Sequence, residues 1–221
     1  TTPFGPGYVA WLGAEGLSGG DNITVHVVDG GLDQGIATNL PGTAHPDILG
    51  RIVGIYNATA DPDGASREGH GQLAASVILG NAAVGTVDKG GYLLGQGLAP
   101  QASVYATKIF RDEGENVEIG SHTHTEVAQL AQNAGAVFSN NSWGGIGNGP
   151  YTAASAEFDA LVRDSDPGEP GNQQISYFFC AGNEGPDVGT TRAQASAKNV
   201  VSAGAHENSD ADGVDGSGFL P

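Results

Sequence analysis

Cysteine occurs once, at Cys180, in a chain of 221 residues, and methionine does not occur at all. A single thiol rules out an internal disulfide and a cysteine-rich metal knot, though it leaves an oxidising compartment open. The missing methionine implies that Thr1 is not the initiator, so an upstream stretch, removed or omitted, is expected. Positive charge is scarce: 8 Lys and Arg stand against 25 Asp and Glu, a formal net charge of −17. Such a surface repels nucleic acid and anionic membrane, so neither is expected as a partner. No apolar run reaches the length of a membrane span, and TTPFGPGYVA lacks the charged-then-apolar order of a signal peptide. The acidic balance suits a secreted, a salt-adapted or a cation-binding protein without choosing among them.

Enough apolar residues remain (38%) for the buried core of one globular domain. The 37 glycines follow no repeat period and read as turns at the ends of core elements. Residues 23–28, 102–110, 136–140, 175–181 and 199–205 read as strands. Residues 71–80, 123–134 and 152–163 read as helices, the first with Leu73, Ala74, Val77 and Ile78 on one stripe and the second closed by Gly135. Strands and helices taking turns predict a doubly wound α/β domain, a mainly parallel sheet with helices on both faces. The last stretch, HENSDADGVDGSGFLP, reads as acidic surface loop.

Functional groups in such sheets collect at the carboxyl ends of the strands. Three expected strands end there in polar, Gly-flanked turns: VVDGG at Asp29, SNNSWGG at Ser142 and CAGNEG at Asn183. Each residue has an ordinary reading. Asp29 could simply cap a turn, His70 in EGHGQLAASVILG could be a helix-entry histidine, and Asn183 could hold a left-handed turn. Asn183 could also donate its side-chain N–H to an oxyanion.

In combination these segments resemble the subtilisin-like serine proteases, or subtilases. GLSGGDNITVHVVDGGLD resembles the family's catalytic-Asp strand, and TAHPDILG its His-Pro-Asp-Leu loop. GHGQLAASVILGN stands where the family has His-Gly-Thr-His-Val-Ala-Gly. LGQGLAPQASVYATKIF, NNSWGG, FFCAGNEGP and NVVSAGA follow in family order, so the likeness covers roughly residues 12–206. It implies a serine endopeptidase acting on protein or peptide substrates, secreted, with Asp29 orienting His70 as general base and Asn183 as oxyanion donor. It further implies that Ser142, Trp143 and Gly144 form one wall of the pocket for the residue before the scissile bond. Cys180, Ala181 and Gly182 would form the facing wall. Val117, Glu118 and Ile119 would pair with extended substrate as an edge strand. A structural calcium is implied at Asp47, in the His-Pro-Asp loop; no cofactor is needed for the chemistry.

The sequence departs from the family in several places. Asp29-Gly30-Gly31 replaces Asp-Thr-Gly or Asp-Ser-Gly, and Gln72-Leu73 replaces Thr-His. The segment that carries the nucleophilic serine has no counterpart in these residues. The chain is therefore expected to be the front part of a peptidase domain, inactive alone, with the missing C-terminal segment as its partner; a pro-segment is also missing. A catalytically dead module used for binding or as a scaffold is the alternative. A nucleotide-binding α/β domain is disfavoured, because Asp29-Gly30-Gly31-Leu32-Asp33-Gln34-Gly35 fails the G-x-G-x-x-G spacing. His122 and His124 are expected at a solvated helix entrance rather than on a transition metal, since residues two apart face opposite sides of a helix.

Overall fold

The computed structural model describes residues 7–37, 40–113, 117, 119–145 and 149–205. The acidic stretch 206–221 and Glu118 lie outside them. The chain runs α1 (Tyr8–Ala14), β1 (Thr24–Asp29), β2 (Ile52–Asn57), α2 (His70–Leu79), β3 (Ser103–Lys108) and α3 (His124–Asn133). It continues through β4 (Ala136–Asn141), α4 (Ala153–Leu161), β5 (Ser176–Cys180), a 3-10 turn (Gln194–Ser196) and β6 (Val201–Ala203). The six strands form one sheet in the order β2-β3-β1-β4-β5-β6, with every pair parallel.

Each strand alternates its side chains between the two faces. Val25 and Val27 of β1 pack with Ala75 and Leu79 of α2 and with Val104 and Ala106 of β3. Val28 points the other way, into a core with Val127, Ala128 and Ala131 of α3, Phe158 and Leu161 of α4, and Tyr177 and Phe179 of β5. Helices therefore cover both faces, and the domain is the doubly wound α/β fold that the strand–helix alternation predicts. The same two-residue period puts Asp29 on the α2 side of the sheet.

Two elements escape the sequence pattern. β2 is interrupted by Gly54 and only Ile52 is buried, so its apolar alternation is broken. α1 buries only Leu12. A third difference concerns the α2 stripe. Leu73 and Val77 are exposed, and the buried side is Gly71, Ala75 and Leu79. The tight seat of the first turns on the sheet selects small residues, Gly71 and Ala75, which leaves Leu73 and Val77 outside while Leu79 is buried at the far end.

The centre of the sheet carries one buried polar rung. His26 of β1 is hydrogen-bonded through Nε2 to Thr107 Oγ1 of β3 at 2.9 Å. Its Nδ1 meets Ser139 Oγ of β4 at 3.2 Å. Burial lowers the His26 pKa from 6.5 to about 3, so the ring stays neutral while it ties three strands together.

Two tests follow from this packing. Leu79→Ala should cost about 2–5 kcal/mol in urea unfolding, whereas Leu73→Ala should stay within about 0.5 kcal/mol. Equal losses would mean that α2 is turned differently on the sheet. His26 gains a proton more easily in the unfolded chain than in the fold, so stability should fall as pH drops from 6.5 towards 3. Urea midpoints measured across that window should fall less steeply for His26→Gln.

Candidate active site

β1 ends on Asp29, which is 1% exposed. The chain then turns through Gly30 and Gly31, and α2 begins on His70. The Asp29 Oδ1 lies 2.7 Å from His70 Nδ1 and also accepts the Gly30 N–H at 2.7 Å. Two glycines permit this approach. A Cβ on Gly71 would fall 2.1 Å from the Gly31 carbonyl oxygen, and one on Gly31 would fall 2.4 Å from the Gly64 carbonyl oxygen. Backbone cannot rotate away from such a clash, so any larger residue would lift α2 from the strand end. Gly31 also has φ of 103°, a conformation that side chains disfavour.

The His70 side chain is about half exposed, and no serine hydroxyl among the described residues bonds to its ring. The hydrogen bond to Asp29 raises its pKa, burial opposes this, and the charges of Asp29 and Glu68 add to the rise. The second Asp29 oxygen, Oδ2, is buried and has no hydrogen-bond partner among the described residues.

Glu68 escaped the sequence reading. Its Oε1 lies 1.6 Å from where a Gly30 Cβ would be, so the carboxylate lies over the position where the family's Thr or Ser would place a side chain. Partial burial and the charge of Asp29 push its pKa up. Gly30 standing where the family has a hydroxyl residue was the available signal.

Lys108 was equally hidden in the apolar-looking strand ASVYATKIF. Its side chain is fully buried, with Nζ 2.5 Å from Asp112, 2.9 Å from Asp61 and 2.9 Å from the Ala65 carbonyl. Arg67 joins the cluster, 2.7 Å from Asp63 and 2.6 Å from Asp112. Burial pushes Asp61 up, yet hydrogen bonds from Lys108 and the Asp112 N–H hold it below the usual carboxylate range. The cluster anchors residues 61–67, the segment that delivers His70.

The neighbouring strands bring two further turns to the same edge. Val28 is level with Asn141 and Asn141 with Phe179, so Asp29, Ser142 and Cys180 follow in one row. Ser142 and Gly144 are partly exposed, as are Cys180, Ala181 and Gly182, while Asn183 and Glu184 are exposed. Trp143 differs from its neighbours. It is 6% exposed, with its ring against His124, Phe158 and Phe179, so only its backbone faces the turn. Val117 forms an antiparallel bridge to Phe110 and is 40% exposed, whereas Ile119 packs partly against the core.

His122 and His124 go separate ways. His122 Nε2 is 2.6 Å from the Tyr56 hydroxyl, and His124 Nδ1 is 2.8 Å from Glu157 Oε2. His124 is partly buried and stacked on Trp143, not solvated as expected, because the core aromatics extend to the start of α3. Asp47 is 5% exposed and faces the loop at 81–96. Its Oδ1 accepts the Val84 N–H at 3.4 Å, and its Oδ2 is 3.8 Å from His45 Nδ1. Asp47 therefore offers one carboxylate for a cation, and no cluster of three or more His, Cys, Asp or Glu suited to a metal occurs among the described residues.

Asp29 and His70 are thus in contact at the sheet edge that also carries the turns with Ser142 and Asn183. The sequence model described as the Subtilase family matches residues 20–217. The chain belongs to the subtilase family. A subtilisin-like serine protease of Cochliobolus lunatus is 28% identical over 200 residues, covering 85% of this chain and 33% of that protein. A subtilisin-like protease of Coccidioides posadasii is 28% identical over 197 residues, covering 87% of this chain and 40% of its own. This subtilase chain thus spans between a third and two fifths of those relatives. Among solved structures, a psychrophilic protease superimposes with a TM-score of 0.59 at 22% identity, over 92% of this chain and 62% of its own. The prenylagaramide maturation protease gives 0.55 at 21% identity, over 89% and 57%. Both share the fold.

The Asp29–His70 contact yields a pH test. Protonated His70 is favoured in the fold, so its contribution to stability is present below pH 6.5 and lost as pH rises through the raised folded pKa. A ring NMR titration should place that pKa above 6.5, and Asp29→Asn should bring it down. An unchanged titration would show that the pair is not coupled in solution.

Proposed function

We propose that this subtilase chain supplies the general base and the oxyanion donor of a secreted serine endopeptidase acting on protein or peptide substrates. The supporting observation is the 2.7 Å contact of a buried Asp29 with a half-exposed His70. A buried carboxylate fixes the ring tautomer and supports the imidazolium that forms when His70 takes a proton. His70 Nδ1 is engaged by Asp29, which leaves Nε2 to accept the proton of a serine hydroxyl and return it to the leaving amine. The family sequence gives Asn183 to the oxyanion, and its exposed position past β5 is compatible with that role.

The nucleophile is proposed to come from chain outside these 221 residues. Consistent with a further element packing there, Leu73 and Val77 on the helix that begins with His70 are 63% and 58% exposed. Residual apolar exposure of that kind on a helix next to a site is costly unless covered. A structural calcium held by Asp47 would stabilise the loop at 81–96 and takes no part in the chemistry.

General-base work requires neutral His70, so activity should rise with pH through its raised pKa. The full-length protein should cleave unstructured peptides and label covalently with a serine-directed phosphonate. His70→Ala should lower turnover by about 10²- to 10⁴-fold or more and abolish labelling. Full-length protein that neither labels nor cleaves would make this a binding module instead.

A further inference from the structure

The turns that follow β4 and β5 are joined by a side chain that the sequence reading left out. The Arg192 N–H donates to the Ala181 carbonyl at 2.9 Å, which seats Arg192 beside the second turn. A Cβ on Gly144 would come within 2.7 Å of Arg192 Cβ and 3.1 Å of its Cγ. A Cβ on Gly182 would come within 3.0 Å of the same Cγ and 3.2 Å of Nε. The arginine stem therefore lies against Gly144 and Gly182 at once. The neighbouring residue Gln194 holds the first turn in place, its Oε1 accepting the Gly145 N–H at 2.8 Å.

The head of the side chain carries a carboxylate. Arg192 Nη2 donates to Glu184 Oε1, and Nη1 reaches towards the Gly144 carbonyl at 3.5 Å. The other Glu184 oxygen accepts the Asn183 N–H at 3.0 Å and lies 2.8 Å from where a Gly182 Cβ would stand. A carboxylate thus already rests over Gly182, between the guanidinium and the backbone of the residue assigned to the oxyanion.

We infer that Arg192 determines specificity at this site, its guanidinium receiving an acidic side chain on the substrate residue before the scissile bond. The inference rests on the proposed reading of 142–144 and 180–182 as walls of that subsite. Glu184 occupies the receptor in the absence of substrate and shows what chemistry it accepts. Its side chain is 46% exposed, against 19% for Arg192, so swinging it into water costs little while the guanidinium stays put. The planar fork of arginine matches an incoming carboxylate with two N–H donors, which an amide or an ammonium cannot exploit. The stem leaves less room between Gly144 and Gly182, which disfavours a large aromatic residue. The net charge of −17 opposes an acidic peptide only weakly, since exposed charges are largely screened beyond about 8 Å at physiological salt. The guanidinium acts in direct contact.

The test uses acetylated tetrapeptides that differ only in the residue before the reporter: Glu, Gln, Phe or Lys. In the full-length protein, kcat/KM for Glu should exceed that for Gln by about tenfold, the size of one good charge-assisted contact. Phe and Lys should be poorer still. Arg192→Ala should erase the Glu-over-Gln ratio and improve Phe, Arg192→Lys should keep part of the ratio, and Glu184→Gln should raise it. Binding of the same peptides to full-length His70→Ala protein, read by fluorescence anisotropy, should rank Glu above Gln in the same way. That arm separates the two readings: Glu-selective binding lost in Arg192→Ala, without turnover in the wild type, would overturn the peptidase proposal and keep this one. Phe preferred over Glu, a ratio unmoved by both Arg192 variants, or no peptide binding would overturn the assignment of Arg192.

Discussion

The candidate site depends on how closely the first turn of α2 approaches the end of β1. Backbone meets backbone there, with Gly71 against the Gly31 carbonyl and Gly31 against the Gly64 carbonyl, in spaces that a methyl group would overfill. That approach brings a histidine at the first helical position within hydrogen-bond reach of a carboxylate at the last strand position. It also explains the burial pattern of the helix. A helix seated so tightly buries Gly71 and Ala75 near its start and turns Leu73 and Val77 outward.

Electrostatics around this contact are built from few cations. Lys108, one of only 8 basic residues, lies fully buried between Asp61 and Asp112 and next to the Ala65 carbonyl. Losing one member of such a buried set leaves an uncompensated charge, which is far costlier than the pair is worth. The cluster thereby ties the 61–67 segment to the carboxyl end of β3 and limits where the following His70 can go. Beyond it, Glu68 adds a second carboxylate beside Asp29 and favours a charged imidazole. Arg192 does comparable work across the turns after β4 and β5, where it meets Glu184. Lys108, Arg67 and Arg192 thus stand at or next to the candidate site, each paired with at least one carboxylate.

The α/β class was legible because strands and helices leave different periods in a sequence, and all five expected strands and three expected helices are present with shifted ends. The order of polar turns was legible too, since a parallel sheet places every strand's carboxyl end on one edge. β2 was not legible: its partners on the sheet, not its own pattern, make Ile52–Asn57 a strand. Glu68 and Arg192 were not legible because each acts on glycines that are remote in sequence or look like ordinary turn residues. Trp143 was assigned to a pocket wall by its position in NNSWGG, yet the aromatic core of α4 and β5 claims its ring.

By itself the sequence determined the period of each element, the family's ordered motifs and the residue types Asp29, His70 and Asn183, because these are properties of short segments. Tertiary structure alone decided which oxygen of Asp29 faces His70, which face of α2 is buried and which side chain lies between Gly144 and Gly182. Each of those outcomes is set by contacts between segments far apart in the chain. Distances of that kind follow from how closely backbones pack, and no local pattern encodes them.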